Sequence, residues 1–395
     1  MQKIRHIICT LLLVGACVWV ARTPSVQAQI TRLFTRADTS IMSLWSHQPA
    51  ETSADDAGAN AQPSDTQAGE KNSTADDVPQ EAVDAELVAQ FNRSYLSQAQ
   101  QDIYDQLLAG LTGAQEQFSI RVDDKDDIEP AYRSVVADHP EFFWLDGSCT
   151  YQIDGVAGLL GAVKIVPGFN VDASSTEDIQ QKIDAQEGAF LAQVPSDAST
   201  YDKVKAAYEW VILNTDYVEG ASQNQNIQSV FLTHASVCAG YAKAFKYLLD
   251  RMGIPCAYIE GVTASGEPHA WVMVDIDNTW TYCDPTWGDP QYQGDSSSFS
   301  YGDILYDYLC LTIQEIEALG HVATHQDALM SCTSSRYDYY KLAGRELDTY
   351  DTDAISALFW AAVDDGEDSL ALKFSQEDAY QQARSAMDDH VFFER

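Results

Sequence analysis

The sequence contains little positive charge. Its 395 residues include 23 lysines and arginines against 60 aspartates and glutamates, which gives a formal net charge of −37 at pH 7. Proteins that bind nucleic acid need lysine and arginine patches to neutralise phosphates, so this composition excludes a nucleic-acid partner. Strong negative charge also disfavours acidic substrates at long range, and it suits a soluble exported protein.

Two kinds of site signature are also missing. The chain has no glycine-rich phosphate loop, and no group of histidines and cysteines has the spacing of a metal site. His321 and His325 are four residues apart, but no third ligand is near them in the sequence, so we predict no metal ligand there. We find no convincing calcium-loop pattern either. The sequence therefore indicates no metal and no cofactor.

The first twenty-eight residues resemble a secretory signal. Basic residues precede an apolar run from Ile7 to Ala21, and residues 26–28 form a small-residue cleavage site. Two alternatives stay open, a lipoprotein box ending at Cys17 and an uncleaved anchor, although fifteen apolar residues are short for a bilayer span. We expect an extracellular or cell-envelope protein, with a membrane tether through this segment left open.

The chain is long enough for several domains. Residues 49 to 86 contain no aromatic residue and one lysine, and such a composition cannot bury enough apolar surface to order a chain. We therefore predict a disordered acidic linker. The predicted organisation is a signal peptide or anchor (1–28), the linker (29–87), an N-terminal α/β region (88–195), a catalytic core (196–330) and a small C-terminal α/β region (331–395).

Cys238 is the first residue that indicates chemistry. After it, apolar residues recur at three- and four-residue spacing, which predicts an amphipathic helix ended by Gly253 and Pro255. Cys238 would then lie at the first turn, where unpaired backbone N–H groups and the helix dipole favour a thiolate. A lone cysteine is more often a core residue. The residues that follow favour a nucleophile instead.

His269 and Asp284 are predicted to lie on the two strands of one hairpin, joined by a turn at Asp277-Asn278. With a loop of two or four residues, both side chains point to the same face, one diagonal step apart, which long side chains can bridge. A loop of three residues would place them on opposite faces. The hypothesis that they act together therefore also predicts an even loop.

Cysteine, histidine and aspartate in this order and at this spacing resemble the transglutaminase-like superfamily, a branch of the papain-like cysteine peptidase and acyltransferase fold. The similarity is densest from about Asp202 to Asp289, and a thinner likeness to secreted bacterial members extends over residues 90–395. The resemblance implies an α+β fold, with a nucleophile helix packed on an antiparallel sheet, flanking small α/β units and a disordered N-terminal linker. The matching segments are the helix Asp202–Asn214, the run Val237–Ala242, Gly253-Ile254-Pro255, His269-Ala270-Trp271 and the segment from Trp280 to Trp287.

The resemblance also implies a mechanism. Cys238 would attack an amide carbonyl, His269 would act as general base and then general acid, and Asp284 would hold the imidazole in the correct tautomer. The developing oxyanion needs donors, and the backbone N–H of Cys238 is the first candidate.

Three further residues are candidates for supporting roles. The side-chain amide of Gln228, ten residues before the cysteine, could donate a second hydrogen bond to the oxyanion, with an ordinary polar role as the alternative. Trp271 and Trp287 are candidates for the walls of a substrate cleft, with buried packing as the alternative for both.

Two classes of function follow. The first is an exported cysteine protease, amidohydrolase or protein-glutamine acyltransferase that acts on amide bonds of peptides or proteins, cell-wall-associated ones among them. The second is a catalytically silent fold used as a cell-envelope binding or scaffolding module. An intact triad favours the enzyme. The residues do not decide between water and an amine as the acceptor.

Overall fold

The computed structural model describes residues 11–12, 90–153, 162–171, 173–290, 304–325, 329–367 and 369–388. Apart from Leu11 and Leu12, the predicted signal segment and linker lie outside these residues. The described residues fall into two compact units, one running from residue 90 to Glu346 and one combining Leu11–Leu12 with the residues from Leu347 onward. The five-part division made from the sequence stays a prediction. No helix within the described ranges is long and apolar enough to span a membrane.

Local signals start several of the helices. Side-chain oxygens of Ser97, Ser199 and Thr312 accept hydrogen bonds from backbone N–H groups of the first turn, which otherwise have no partner inside a helix. The helices are α1 Phe91–Ser94, α2 Gln98–Thr112, α3 Ile128–Asp138, α4 Ala173–Leu191, α5 Thr200–Leu213, α6 Cys238–Arg251, α7 Ile313–Ala318, α8 Tyr339–Leu342, α9 Thr352–Asp364 and α10 Glu377–Asp388.

The strands are short, and most pair antiparallel. They are β1 Leu11–Leu12, β2 Phe118–Arg121, β3 Leu145–Ile153, β4 Ala162–Phe169, β5 Asp216–Tyr217, β6 Ala235–Ser236, β7 Cys256–Val262, β8 Pro268–Asp275, β9 Trp280–Cys283, β10 Val322–Ala323, β11 Glu346–Leu347, β12 Ser369–Leu370 and β13 Lys373–Phe374.

The centre of the larger unit is an antiparallel sheet with strand order β10-β7-β8-β9. Helix α6 packs on β7 and β8, and α5 packs on α6. Ala270, Val272 and Val274 of β8 belong to the apolar cluster under these helices, whereas Trp271 and Met273 belong to a second cluster. This is the period-2 alternation of a strand buried on both faces. The predicted α+β fold, with the nucleophile helix on an antiparallel sheet, is confirmed.

The hairpin of β8 and β9 has the predicted even loop. Ile276 and Thr279 exchange two backbone hydrogen bonds around the two-residue turn Asp277-Asn278. Both turn residues have positive φ angles, +51° and +63°. Such angles are needed in a type I′ turn, and Asp and Asn tolerate them better than other side chains do. The register that follows puts His269 and Asp284 on one face, as the sequence predicted.

The upstream region of the larger unit has its own sheet, with strand order β2-β4-β3, and α2 and α3 pack in its apolar cluster. Within the described residues this region begins with two helices, α1 and α2, because Ser97 and Gln100 form a reciprocal capping box that starts α2 anew.

The smaller unit is built from α9, α10 and short strands around a separate apolar cluster that includes Phe359, Phe374 and Tyr380. The strand β1 pairs antiparallel with β12. Asp351 caps the start of α9 through its side chain. This unit contains both helices and strands, and the predicted C-terminal α/β region (331–395) stays a prediction.

Candidate active site

Cys238 is the first residue of α6, as predicted. Val237 before it is extended, and its carbonyl accepts hydrogen bonds from the backbone N–H groups of Gly240 and Tyr241. The N–H groups of the first two helical residues, Cys238 and Ala239, have no acceptor within a helix, and together with the helix dipole they favour a thiolate at the helix start. The Cys238 side chain is partly exposed, which a nucleophile requires.

The helix start is held close to the chain before it. The hydroxyls of Ser229 and Ser236 share a hydrogen bond of 2.7 Å, and Ser236 also donates to the carbonyl of Asn224. A Cβ atom placed on Gly240 would lie 1.9 Å from the Ser236 hydroxyl oxygen. Only glycine permits this approach, and the approach fixes the position of Cys238 two residues earlier.

His269 and Asp284 form a direct hydrogen bond. The Nε2 atom of His269 lies 2.7 Å from Oδ2 of Asp284, and both residues are buried. The Cys238 thiol lies close enough to the His269 imidazole to raise its pKa. Because Nε2 is engaged with the carboxylate, the other ring nitrogen is left to face the sulfur. The imidazole therefore links the predicted nucleophile to the predicted orienting acid.

The electrostatics favour a protonated His269. Burial alone lowers the pKa of His269, but the charge and hydrogen bond of Asp284 and the contact with Cys238 outweigh it and raise that pKa to about 10. Burial alone would raise the pKa of Asp284. The charges and hydrogen bonds of His269 and His321 hold it well below its usual range instead. An imidazolium beside a thiol stabilises a thiolate.

Asp284 accepts hydrogen bonds on both oxygens. Its Oδ1 accepts from the backbone N–H groups of Thr286 at 2.9 Å and Trp287 at 3.2 Å. Its Oδ2 accepts from His269 and also from Nε2 of His321 at 2.9 Å. Nothing in the sequence indicated this role of His321. No local sequence pattern could indicate the contact, because His321 lies 37 positions from Asp284 in the chain.

The two tryptophans pack on these imidazoles. Trp271 is 2% exposed, and its ring lies 4.9 Å from that of His321 and 6.0 Å from that of His269. Trp287 is less buried, and its ring lies 4.4 Å from His321 and 5.5 Å from His269. A side chain as buried as Trp271 offers almost no surface to a substrate. We therefore correct the prediction for Trp271, which is a packing residue and not a wall of the cleft. Of the two tryptophans, only Trp287 has exposed surface that a substrate can contact.

Gln228 is not free to serve the oxyanion. Its side-chain amide donates to the carbonyl of Phe143 at 3.0 Å and to the side-chain oxygen of Asn170 at 3.4 Å. The residue is buried, and both amide hydrogens have an acceptor. The structure thus gives Gln228 the alternative role, that of a buried polar link between distant segments.

His269, Asp284 and His321 each have one atom that a metal ion could use, and these atoms lie within 4.8 Å of one another. The two imidazole–carboxylate distances, 2.7 and 2.9 Å, are those of charge-assisted hydrogen bonds. We therefore interpret the group as a hydrogen-bond network. His325, the other histidine of the pair noted in the sequence, is exposed and stacks on Tyr95 instead.

Together these contacts give a cysteine at a helix start, a histidine that bridges it to a buried aspartate, and an antiparallel sheet that holds both partners. This is the arrangement of papain-like cysteine enzymes. Residues 189–285 match the family model of the transglutaminase-like superfamily. The predicted resemblance to the superfamily is confirmed for this segment, which contains Cys238, His269 and Asp284, whereas the likeness to secreted bacterial members over residues 90–395 stays a prediction. No curated protein matches the chain.

Three solved structures are similar to the chain at low identity. A transglutaminase (TGase) is 17% identical, with 46% of this chain and 54% of that protein covered and a TM-score of 0.26. A candidate cysteine protease from Cytophaga hutchinsonii is 15% identical, with 35% and 62% covered and a TM-score of 0.24. The periplasmic domain of TgpA from Pseudomonas aeruginosa, bound to ethylmercury, is 17% identical, with 32% and 57% covered and a TM-score of 0.22. The chain thus spans between half and two thirds of the length of these proteins.

Proposed function

We propose that this protein is an exported cysteine enzyme that acts on amide bonds of peptides or proteins through a thioester on Cys238. The observation that supports this most directly is the position of His269, which lies next to the Cys238 thiol and hydrogen-bonds to Asp284. Nucleophile, base and orienting acid then form one continuous network. A buried core cysteine would need no such partners.

In the proposed reaction the Cys238 sulfur attacks the amide carbon, and the carbonyl oxygen takes up the electron pair. The backbone N–H of Cys238, at the start of α6, would donate to this oxyanion. His269 then gives its proton to the leaving amine as the C–N bond breaks. Water or a second amine attacks the thioester, His269 accepts the attacking proton, and the thiol is released.

The export, the envelope location and the peptide or protein partner rest on the sequence patterns of residues 1–87 and on the family resemblance. A membrane tether through the N-terminal segment belongs to the same proposal.

The first prediction concerns thiol reactivity. Iodoacetamide should alkylate Cys238 far faster than any other cysteine at pH 6 and 7, because a thiolate is the reactive form and the His269 imidazolium stabilises it. The measurement is mass-spectrometric peptide mapping of the full-length protein over time. Cys149 is a matched internal control, since it is also partly exposed but burial raises its pKa to about 11.

Two variants complete this experiment. Cys238→Ala should remove the fast-reacting site, and Cys149→Ala should leave it unchanged. Slow labelling of Cys238, at the rate of Cys149, would contradict the enzyme and support the alternative, a silent fold used for binding or scaffolding. If labelling is fast, a casein or peptide assay with and without a primary amine separates hydrolysis from transfer, because only transfer adds the mass of the amine to the product.

A further inference from the structure

His321 completes the coordination of the Asp284 carboxylate. Two backbone N–H groups hold Oδ1, while the imidazoles of His269 and His321 both lie within hydrogen-bond distance of Oδ2, at 2.7 and 2.9 Å. A carboxylate only accepts, so Nε2 of His321 is the donor in its bond. The side chains of Asp284 and His321 are 0% exposed. Water therefore offers no substitute for this second donor.

The backbone places His321 rigidly. Helix α7 ends at Ala318, and two residues later Gly320 has a φ of +95°, while the N–H groups of Gly320 and His321 donate back to the carbonyls of Glu317 and Ile316. This is a Schellman motif, and glycine is the residue that its positive φ favours. The next residue, Val322, pairs with Val262 of β7 as the first residue of β10. A helix end and a strand start thus fix the backbone on both sides of His321.

Three aromatic rings hold the side chain. The imidazole of His321 packs edge-on against Trp271 at 4.9 Å, Trp287 at 4.4 Å and His269 at 5.2 Å between ring centroids. Such packing limits rotation about both side-chain torsions, so the donated hydrogen bond keeps its direction. The ring packing and the hydrogen bond to Asp284 both favour the same orientation of the His321 imidazole.

We propose that His321 is a positioning residue of the active site, which fixes the Asp284 carboxylate so that His269 is aimed at Cys238. The inference rests on the proposed function. Without His321, Oδ2 would keep one donor instead of two, and the carboxylate could turn about its Cβ–Cγ bond. His269 would then lose the orientation that directs its second nitrogen to the thiol.

The test compares two substitutions of similar size in the full-length protein. His321→Gln keeps an N–H donor near the position of Nε2, whereas His321→Met fills the space without a donor. In the Met variant, we expect iodoacetamide to alkylate Cys238 at pH 6 at least about tenfold more slowly than in the wild type. A tenfold change corresponds to about 1.4 kcal/mol. The Gln variant should recover most of the wild-type rate. His325→Met, which changes the exposed histidine nearby, should leave the rate unchanged.

Thermal unfolding of each variant separates positioning from stability. A Met variant that is folded at the assay temperature and reacts at the wild-type rate overturns the proposal, whatever its melting temperature. Equal slowing in the Gln and Met variants also overturns it, because the donor would then not matter. If wild-type Cys238 reacts no faster than Cys149, the proposed function itself fails, and that outcome is distinct from both others.

Discussion

At the scale of single residues, the site depends on matching hydrogen-bond donors to acceptors. Asp284 receives four donors, which is why a fully buried carboxylate can stay charged. The Tyr241 hydroxyl shows the opposite arrangement, since it lies 2.7 Å from the carbonyl of Thr215 and 2.6 Å from Oδ2 of Asp289. One hydroxyl hydrogen cannot serve two acceptors. A proton on Asp289 would supply the missing donor.

Asp289 should therefore make stability depend on pH. Burial raises its pKa from 3.8 to about 6, with a smaller contribution from Asp216. A raised pKa means that the folded protein binds the proton more tightly, so this stabilisation is complete below about pH 4 and is lost as the pH rises through 6. Asp289→Asn stays neutral, so its free energy of unfolding should rise relative to wild type between pH 4 and 7. Urea unfolding at several pH values measures this, and parallel curves would contradict it.

Gln228 gives a second prediction at this scale. Gln228→Leu removes one of two donors to the carbonyl of Phe143, because Asn170 also donates to it, so the free energy of unfolding should fall by about 0.5–1.5 kcal/mol. The rate of Cys238 alkylation should not change in the folded variant, because the amide of Gln228 has its partners elsewhere. Gln225→Leu, at an exposed position, is the control and should have little effect on either measurement. For Gln228→Leu we expect a loss of stability with an unchanged rate of Cys238 alkylation. A slower alkylation without a loss of stability would instead support the oxyanion role of Gln228.

At the scale of secondary-structure elements, the start of α6 is the most constrained position. The helix approaches Ser236 and Ser229 so closely that a methyl group on Gly240 would overlap their hydroxyls. Overpacking of this kind typically destabilises by about 1–3 kcal/mol. The closeness of α6 to the preceding strand is therefore a packing constraint that the amphipathic pattern of the helix does not reveal.

Gly240→Ala should lower the free energy of unfolding by about 1–3 kcal/mol, as measured by urea denaturation. Gly188→Ala is a matched control in helix α4, because nothing lies within 4 Å of its added methyl group. There the higher helix propensity of alanine should give a gain of about 0.5–1 kcal/mol. Changes of the same sign at both positions would show that propensity, not overlap, decides the outcome at Gly240.

At the scale of the whole molecule, the net charge of −37 makes self-repulsion a general term in stability. Raising the ionic strength from 0.01 to 0.15 M shortens the Debye length from about 30 Å to about 8 Å, so repulsion between distant charges is screened. We expect the melting temperature to rise over this range. Sodium and potassium chloride should act equally, since screening depends on ionic strength. A melting temperature that falls with salt would show that attractive ion pairs outweigh the repulsion.

The sequence by itself determined the features that depend on neighbours along the chain. The helix start at Cys238 follows from apolar spacing, and the even loop at Asp277-Asn278 follows from turn chemistry. Because side chains alternate along a strand, that loop was enough to put His269 and Asp284 on one face. The order of the three residues then indicated the family.

Only the tertiary structure decided which distant groups meet. His321 reaches Asp284 from 37 positions away because β10 joins the edge of β7, and Gln228 is bonded to a carbonyl 85 positions earlier. Trp271 is buried because a second layer covers that face of the sheet. Hydrogen bonding and packing act through space, so no periodicity or spacing in the sequence encodes these contacts directly. The nucleophile and its two partners were local predictions, whereas the support around them came from the fold.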